Sequence, residues 1–598
     1  MKQPKKNYLN RSIWMMDEET FTDTGRAWLT GGKKLFSKAW VQFFNLKDAN
    51  DDLFSWFKTY PSDYFIIYYH NGCRFDIKTI ESWCWEHQVN EIDFKINENY
   101  FIHSHRRGKK YRFLVHYFGK IIEFRCTWLI FPTSIKELGG KNHKIKFRTS
   151  SDLFPLLENE NLYWREDIET IVPFLEHPLF YGTHHDIPLT IGSYVRKLFR
   201  ESGWFAKNNL INQLTANQHQ ELSKLFRGGF CQVNPNFQGK YIPGIYRRYD
   251  RKSHYPTIMT GLLPYGKPLA TPPKGTFVAA IKVEIYHLKL KAGFFPVIGF
   301  LEEGAYQYKP EYFNVEWYCW ECEWEYYQKI YEMDYKIINM WYFRSHTYLK
   351  EFIEKYYLQR KNAKAVGNKP LSIILKFLLN NVFGKEGQKT TQEEGNYREC
   401  YSKKLIEKKQ EVIVYFDKIT HERITKNHPI YENRYYIKNQ KTQETNTFKM
   451  GYTPMASYIT AVGRVIMYNE RDKYGKHWAY TDTDSLILWN KEMDEKELGE
   501  DLGYYGMDNP TPNFFCHTIK KYWYDKNFYF NGVRKESMET LNFDTFQNIT
   551  EIKEGQTFMK YDNGRPIISR RTFHLIKTKS SIIMEFNPLY FDNPADMI

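Results

Sequence analysis

Short blocks of apolar residues alternate with polar ones along most of this chain, a pattern typical of strands joined by turns. Three apolar segments predict strands that end beside acidic residues: 245–249, 477–480 and 486–489. Residues 371–383 form the clearest predicted helix, with Pro370 near its start and Gly384 at its end. The pattern therefore predicts a mixture of sheets and helices.

The bend between the last two strands carries Asp482-Thr483-Asp484. Side chains at positions i and i+2 of a strand point the same way, so we expect both carboxylates to approach one point. Two carboxylates lie close together at a low cost in free energy only when a cation lies between them. The bend therefore predicts a divalent-metal site on a buried hairpin. The alternative is a plain polar turn, because Asp and Thr bond their own backbone.

Two upstream elements make the polar turn the weaker interpretation. Asp250 directly follows the predicted strand 245–249, and a predicted helix begins at Pro256. On the helix 371–383, a cation, an amide and an aromatic ring share one face at helical spacing: Lys376, Asn380 and Phe383. In chain order, these elements and the acidic bend resemble motifs A, B and C of the family B DNA polymerases.

The composition agrees with a polyanionic partner. Lys and Arg number 85 against 70 Asp and Glu in 598 residues, a net charge of +15. A merely soluble basic protein is the alternative. We attribute most of the 18% aromatic content to an A/T-rich coding sequence. Cys319 and Cys322 form a lone CxxC without a second ligand pair, so no zinc site is expected. We recognise no signal peptide and no apolar run near 18 residues, roughly the length that spans a membrane, and expect a soluble protein in a reducing compartment.

Phosphoryl transfer to a primer 3′-hydroxyl uses two divalent ions about 4 Å apart. We assign Asp250 and Asp484 as the principal metal ligands, with Asp482 beside them. The resemblance implies that the backbone carbonyl of Arg251 completes one metal shell. We expect two Mg²⁺ ions per active site, with Mn²⁺ as an alternative.

The nucleotide pocket follows from the same resemblance. Phosphates need cations, and the candidates are Lys376, Arg360 and Lys364. Tyr255 would pack beneath the sugar and select deoxyribonucleotides, while Asn380 and Phe383 would line the nascent base pair. The usual Ser and Tyr of this motif are Asn381 and Phe383 here, so the hydroxyl expected at the second position is missing.

Three acidic motifs near the N-terminus resemble those of the DEDD-type 3′–5′ proofreading exonuclease: D-x-E, N-x-x-x-F-D and Y-x-x-x-D. By this resemblance four acids bind two metals: Asp17, Glu19, Asp76 and Asp167. Tyr163 would orient the attacking water, and Asn71 and Phe75 would grip the frayed 3′ end. The pair Tyr181 and Asp186 has the wrong spacing for the third motif. The auxiliary lysine of this family corresponds to Lys146 or Arg148.

Further motifs resemble the protein-primed group of family B. Phe226-Arg227-Gly228-Gly229 is similar to the Y-x-G-G motif that contacts the template strand, with Phe in place of Tyr. Lys520 and Tyr522 are similar to the K-x-Y motif that holds the primer terminus. The resemblance implies an α+β multidomain fold, with an RNase H-like exonuclease domain followed by a right-hand polymerase of palm, fingers and thumb with two insertions.

The polar stretch 386–447 is poor in core residues and fits the second insertion. The expected domains are these: 1–188 exonuclease; 189–264 palm with motif A; 265–357 first insertion, docking a terminal protein; 358–385 fingers; 386–447 second insertion, for strand displacement and processivity; 448–528 palm with motif C; 529–598 thumb.

The expected partners are DNA template and primer, deoxynucleoside triphosphates and a terminal protein as primer, without a membrane. We expect a phage-encoded monomer in the cytoplasm of the host cell. Two alternatives remain: a related family B polymerase that needs no protein primer, and a catalytically inactive DNA-binding replication scaffold. A reverse transcriptase is disfavoured, because the acidic pair here is Asp-Thr-Asp rather than two adjacent acids.

Overall fold

The computed structural model describes most of the chain up to residue 554. The described residues are 11–22, 24–72, 76–87, 89–91, 100–106, 109–140, 142–181, 187, 189–201, 214–302, 305–387, 451–530 and 542–554, together with short strands named below.

The N-terminal part is one mixed sheet with helices packed on it. Its elements are β1 (Arg11–Thr20), β2 (Ala27–Lys34), β3 (Trp40–Phe44), α1 (Ala49–Thr59), β4 (Tyr64–Tyr69), α2 (Asp76–Glu86), β5 (Asn90–Glu91), β6 (Tyr100–Arg106), β7 (Lys109–Tyr117), β8 (Lys120–Cys126), α3 (Ile135–Leu138), α4 (Glu158–Leu175), α5 (Pro178–Tyr181) and α6 (Ile191–Glu201). The strand order is β3-β2-β1-β4-β8-β7-β6-β5. Strand β1 runs parallel to β4, and β4 runs parallel to β8.

Both faces of this sheet are covered, which explains the continuous apolar runs in its central strands. Along β1, Ile13 and Met15 belong to one buried core, whereas Trp14 and Met16 belong to another. The first of these cores extends into the C-terminal part of the chain and includes Ile374. The exonuclease-like sheet therefore shares a core with the helices that follow it.

The next part is an antiparallel sheet that carries motifs A and C. Its elements are α7 (Ala216–Ser223), β9 (Cys231–Val233), β10 (Tyr246–Arg251), α8 (His254–Met259), α12 (Thr453–Tyr474), β21 (Trp478–Asp482), β22 (Ser485–Trp489) and β23 (Tyr505–Met507). The strand order is β23-β10-β22-β21-β9, and α12 contacts α8 and β21. This order puts the strand of Asp250 beside the hairpin of Asp482 and Asp484.

A second antiparallel sheet, which we call the insertion sheet, separates motifs A and B. It contains β11 (Leu263–Leu269), β12 (Phe277–Leu290), β15 (Glu311–Trp320) and β16 (Tyr331–His346), with a hairpin of β13 (Gly299–Glu302) and β14 (Ala305–Tyr308) and helix α9 (Glu321–Ile330). Helix α10 (Lys350–Ala365) follows and runs through the expected boundary at 357, because no break in the sequence interrupts the helix there.

Helices α10 and α11 (Lys369–Glu386) form a helical hairpin. The predicted end of the second helix at Gly384 is wrong, since the helix continues to Glu386. Its last turn is anchored because the Glu386 carboxylate accepts hydrogen bonds from Arg196 Nε and the Tyr452 amide, both at 2.6 Å. One glycine within a helix costs about 1 kcal/mol, which this anchoring offsets.

Between residues 388 and 450 the structure describes four short strands: β17 (Tyr397–Cys400), β18 (Tyr415–Phe416), β19 (Arg423–Ile424) and β20 (Tyr435–Lys438). They pair as β17-β20 and β18-β19. These nested antiparallel pairs lie in the segment predicted to be the second insertion.

The C-terminal part begins with a three-stranded sheet and continues with a second three-stranded sheet and one separate strand pair. Its elements are β24 (Phe514–Thr518), β25 (Lys521–Tyr524), β26 (Asn527–Phe530), α13 (Phe543–Gln547), β27 (Ile549–Glu554), β28 (Lys560–Asp562), β29 (Arg565–Ile567), β30 (Phe573–Thr578) and β31 (Ile582–Met584). The expected boundary at 528 falls inside β26. No helix in the described part of the chain is long and apolar enough to cross a membrane.

Candidate active sites

The 482–484 turn is tighter than the sequence pattern suggested. Asp482 ends β21, Ser485 opens β22, and Thr483 adopts a left-handed backbone with φ of 59°. The Asp484 amide donates to the Asp482 carbonyl at 2.6 Å. Strand alternation therefore does not orient these two carboxylates, and that part of the prediction is wrong because the chain reverses between them.

Asp250 faces this turn from the neighbouring strand. It pairs with Ser485 across β10 and β22, and the Arg251 amide donates to the Asp484 carbonyl at 2.8 Å. Burial and the negative charges of Asp250 and Asp482 together raise the pKa of Asp484 to about 7. Burial also raises the pKa of Asp250. Such mutual repulsion is relieved by a bound cation, so these acids suit a divalent metal.

Arg251 and Asp482 differ in how they could contribute to this candidate metal site. The Arg251 side chain donates from Nε to the Gly503 carbonyl at 2.9 Å, and the role of its own carbonyl stays a prediction. The Asp482 carboxylate is 2.5 Å from Lys520 Nζ. This ion pair makes Asp482 the less available ligand of the three acids.

Lys520 and Tyr522 lie beside motif C although they belong to the C-terminal sheet. The Lys520 amide donates to the Tyr480 hydroxyl at 2.9 Å. Tyr522 is buried, with its ring 4.6 Å from the ring of Tyr480. The Lys520 ammonium group therefore lies beside the motif C acid Asp482, whereas Tyr522 contributes by packing.

Motifs A and B meet where the nucleotide was expected. The rings of Tyr255 and Phe383 lie 4.6 Å apart. On the same helix, Lys376 and Asn380 are exposed. Arg360 Nη1 is 3.4 Å from the Ser253 hydroxyl. The structure thus brings Phe383 and Arg360 against residues of motif A.

The cations of this pocket repel one another. Burial lowers the pKa of Lys364, and the charges of Arg360, Lys252 and Lys376 lower it further, while Glu500 opposes the shift. A polyphosphate placed among these groups would relieve the repulsion, which is the electrostatic condition for a triphosphate site.

The loop of Phe226 to Gly229 divides into a buried and an open part. Arg227, predicted to contact DNA, instead donates from Nη2 to both oxygens of Glu323 at 2.9 and 3.0 Å. Its guanidinium is committed to this ion pair, so its side chain is not placed to contact DNA. Gly228 and Gly229 are exposed, and Phe226 packs beside Gly387.

The N-terminal acids form a tighter group. Asp17, Glu19 and Asp167 have ligand atoms that all lie within 4.8 Å of one another. Within the described part of the chain, they are the one set of three His, Cys, Asp or Glu side chains that meet this distance. All three are buried, since α4 packs on β1. This packing is fixed by Trp164, whose Nε1 donates to the Asp17 carbonyl at 3.0 Å.

Asp76 opens α2 beside this group. Burial raises its pKa to about 7, a value that includes the opposing effect of backbone hydrogen bonds and the smaller effect of the Asp167 charge. Glu18, which the sequence analysis did not single out, is buried on β1, and its amide lies 3.3 Å from Asp76 Oδ1. Four carboxylates with oxygen donors suit Mg²⁺ or Mn²⁺.

The other residues predicted for the exonuclease differ in whether the structure describes them and in how far they are buried. Tyr163 is half-buried on α4, one turn before Asp167, and Asn71 has a left-handed backbone with φ of 59°. Phe75 and Asp186 lie outside the described residues. Arg148 is buried in an ion pair with Glu160 at 2.6 Å, which excludes it as the auxiliary cation, whereas Lys146 is exposed.

Comparison with known proteins agrees with this geometry. A family model described as DNA polymerase type B, organellar and viral, matches residues 179–475. The chain is 24% identical over 410 residues to the DNA polymerases of Bacillus phages Nf and M2, covering 63% of this chain and 68% of each relative.

Solved structures extend the likeness over the whole fold. Phi29 DNA polymerase complexed with primer-template DNA matches with a TM-score of 0.73 at 17% identity, covering 93% of this chain and 98% of the other. Its ternary complex with primer-template DNA and incoming nucleotides matches with a TM-score of 0.70. This likeness confirms the predicted α+β multidomain fold class.

Proposed function

We propose that this chain is a DNA polymerase of the organellar and viral type B family, whose model matches residues 179–475, and that it has two metal-dependent sites, one extending DNA and one trimming it. The observation that carries the polymerase site is the position of Asp484, a half-buried acid in the turn that faces Asp250 across β10 and β22. When both acids are ionised their charges repel, and a bound divalent metal relieves this repulsion at neutral pH.

The donor set fits divalent ions at both sites. Asp250 and Asp484 offer carboxylate oxygens at one, and Asp17, Glu19 and Asp167 offer them within 4.8 Å at the other. When bound, the metals lower the pKa of the attacking hydroxyl or water and neutralise the phosphate charge. We propose two Mg²⁺ ions at each site, with Asp76 as a further exonuclease ligand.

This chain's own residues would orient the incoming deoxynucleoside triphosphate. The cations Lys364, Lys376 and Arg360 would bind its phosphates. Tyr255 would lie beneath its sugar, where a 2′-hydroxyl would collide with the ring, and Phe383 packs against Tyr255 at 4.6 Å. Asn380 would contact the nascent base pair. The open glycines 228 and 229 and the Lys520 ammonium group would contact the DNA.

The exonuclease site would remove mispaired 3′ ends. Tyr163 lies one turn from Asp167 on α4, so its hydroxyl could orient the attacking water. Asn71 is placed near the start of α2, and with Phe75 it would hold the frayed strand. Proofreading is supported by the convergence of the buried acids on one point.

We also propose that synthesis begins on a terminal protein, with the insertion sheet as its docking site and the 386–447 segment as the strand-displacing element. Support comes from the match to phage polymerases and from the strands that lie between motifs A and B and between motifs B and C. The enzyme would act as a monomer in the cytoplasm of the phage's host, on DNA template and primer.

Primer extension tests the polymerase assignment. Asp250→Ala and Asp484→Ala should each reduce extension by at least about 10³-fold, because each removes a metal ligand. Degradation of single-stranded DNA by the same preparations is the control for folding. Extension at the wild-type rate by either variant would refute the assignment. Incubation with template and nucleotides, with and without a terminal protein, tests protein priming.

A further inference from the structure

Glu323 is a fully buried carboxylate between two arginines. It lies in the first turn of α9, and its side chain is 0% exposed. Arg227 Nη2 donates to both of its oxygens, and Arg464 Nε donates to Oε1 at 2.9 Å. These two guanidinium groups overcome the effect of burial and lower the pKa of Glu323 to about 2. We call these three residues the Glu323 cluster.

The Glu323 cluster joins three distant parts of the chain. Glu323 belongs to the insertion sheet's helix, Arg227 to the glycine-containing loop after α7, and Arg464 to α12. Arg227 Nη1 also donates to the Tyr318 carbonyl at 2.6 Å. Arg464 Nη1 donates to the carbonyls of Arg227 and Gly228 at 2.9 and 2.8 Å. The loop backbone is therefore fixed to the insertion sheet.

That backbone leads directly to the reacting groups. A Cβ on Gly229 would lie 2.7 Å from Thr483 Cγ2 and 2.8 Å from the Tyr255 hydroxyl oxygen. The next residue, Phe230, accepts a hydrogen bond from the Thr483 amide at 2.6 Å. Since Thr483 separates the two acids of motif C, the loop supports both the metal-ligand turn and Tyr255.

Helix α12 supports Tyr255 from a second side. Gly463 precedes Arg464, and a Cβ on it would lie 2.8 Å from His254 Nε2 and 3.1 Å from Tyr255 Cε1. Tyr255 is thus held between two segments, and each of them is attached to the same carboxylate. Loss of that carboxylate would leave two buried guanidinium groups repelling each other behind the tyrosine.

We propose that Glu323 is a positioning residue of the polymerase site, which fixes Tyr255 and the 482–484 turn through Arg227 and Arg464 and so sets the discrimination between deoxyribonucleotides and ribonucleotides. The inference rests on the proposed function, in which Tyr255 packs beneath the sugar. It assigns sugar discrimination in part to a residue of the insertion sheet, outside the palm.

Single-nucleotide incorporation with dATP and ATP tests this role. Glu323→Gln keeps the shape of the side chain and removes its charge. The ratio of kcat/KM for dATP to that for ATP should fall by about 10-fold or more, since misplacement by about 1 Å can cost 10²-fold. Glu323→Asp keeps the charge and should restore part of the ratio. Degradation of single-stranded DNA should stay within about twofold of wild type.

Glu160→Gln is the matched control, because Glu160 is equally buried and pairs with Arg148 at 2.6 Å in the N-terminal part. It should lower the melting temperature and leave the dATP to ATP ratio unchanged. A wild-type ratio in Glu323→Gln would overturn the inference. If that variant does not fold, the test rests on Glu323→Asp, whose shorter side chain cannot reach both arginines as Glu323 does. A fully wild-type ratio in Glu323→Asp would then overturn the inference. A wild-type enzyme that extends no primer would refute the proposed function, which is a separate result.

Discussion

The two acidic sites of this chain are built in different ways. In the N-terminal site, Asp17 and Glu19 lie on one strand and Asp167 on the helix packed over it, and their oxygens already lie within 4.8 Å. In the polymerase site, Asp250 and Asp484 face each other from a strand and a turn, while Asp482 is paired with Lys520. The packing of α4 on β1 brings the acids of the first site together, whereas in the second site one acid is paired with a lysine.

This difference shows what each site has to accommodate. In the proposed function, the site that trims a 3′ end needs one fixed geometry, and a buried strand and helix supply it. The proposed polymerase site has to release and bind a triphosphate in every cycle, and the cations proposed to bind its phosphates lie on the α10–α11 hairpin rather than on the sheet of motifs A and C. We infer that the exonuclease acids are preorganised and that the polymerase site is completed by its substrate.

The largest expected effect separates the two sites. The double variant Asp17→Ala, Glu19→Ala should reduce 3′–5′ degradation by at least about 10³-fold, because it removes two metal ligands from a preorganised site. Primer extension should change by less than about twofold, since the polymerase acids lie on another sheet. Both rates are measured on the same labelled primer. Persistent degradation would show that the acids at the N-terminus do not form the exonuclease site.

Acid pH should affect the two sites alike. Burial raises the pKa of both Asp484 and Asp76 to about 7. Between about pH 4 and pH 7, each acid therefore keeps its proton in the metal-free folded protein, whereas it loses the proton in the unfolded chain. This contribution to metal-free stability is present below about pH 4 and is lost as pH rises to about 7. Metal binding needs the deprotonated acids and should weaken up to about tenfold per pH unit below 7.

Thermal unfolding with Mg²⁺ and with EDTA at pH 6, 7 and 8 measures this effect. The stabilisation by Mg²⁺ should increase with pH over that range. Extension and degradation should both lose activity between pH 7 and pH 6. A stabilisation that does not depend on pH would contradict the assignment of these two carboxylates as metal ligands. Asp484→Asn is the control, since it removes the pH response of one site only.

Substitution of Lys520 tests the role of the cation that pairs with Asp482 in the polymerase site. Lys520→Met removes the partner of Asp482 and should raise the KM for primer-template DNA by about tenfold, the loss of one charge-assisted contact. The Lys520 side chain is 45% exposed, so the pair should contribute at most about 1 kcal/mol to folding. Lys526→Met, an exposed lysine on the same sheet, is the control. An unchanged KM with a large loss of stability would assign Lys520 a structural role.

Much of the fold and part of the site could be predicted from local sequence. The apolar segments before Asp250 and around the 482–484 turn are strands, and the acidic motifs occur in the chain order of the family. Strands and short motifs depend mainly on residues that are neighbours in the chain, so they can be read from a single sequence. The same holds for the helix that carries Lys376, although its end was placed one turn too early.

The errors share a physical cause, which is contact between distant residues. Arg227 was predicted to contact DNA, but its partner Glu323 lies 96 residues away. Arg148 was a candidate exonuclease cation, and its burial against Glu160 depends on how a loop folds over the sheet. The orientation of Asp484 depends on a left-handed residue that is not a glycine, Thr483. No local pattern reports such contacts.

The smallest expected effect concerns Gly384, within the helix that presents Lys376 to the polymerase site. A Cβ there would meet no atom within 4 Å, so Gly384→Ala should raise the free energy of unfolding by about 0.5–1 kcal/mol. Gly387→Ala is the control, because its Cβ would lie 2.6 Å from Phe226 Cζ and should destabilise the protein. Denaturant unfolding compares the two variants. A less stable Gly384→Ala would mean that the helix bends at this residue, making the polymerase site still less preorganised than the exonuclease site.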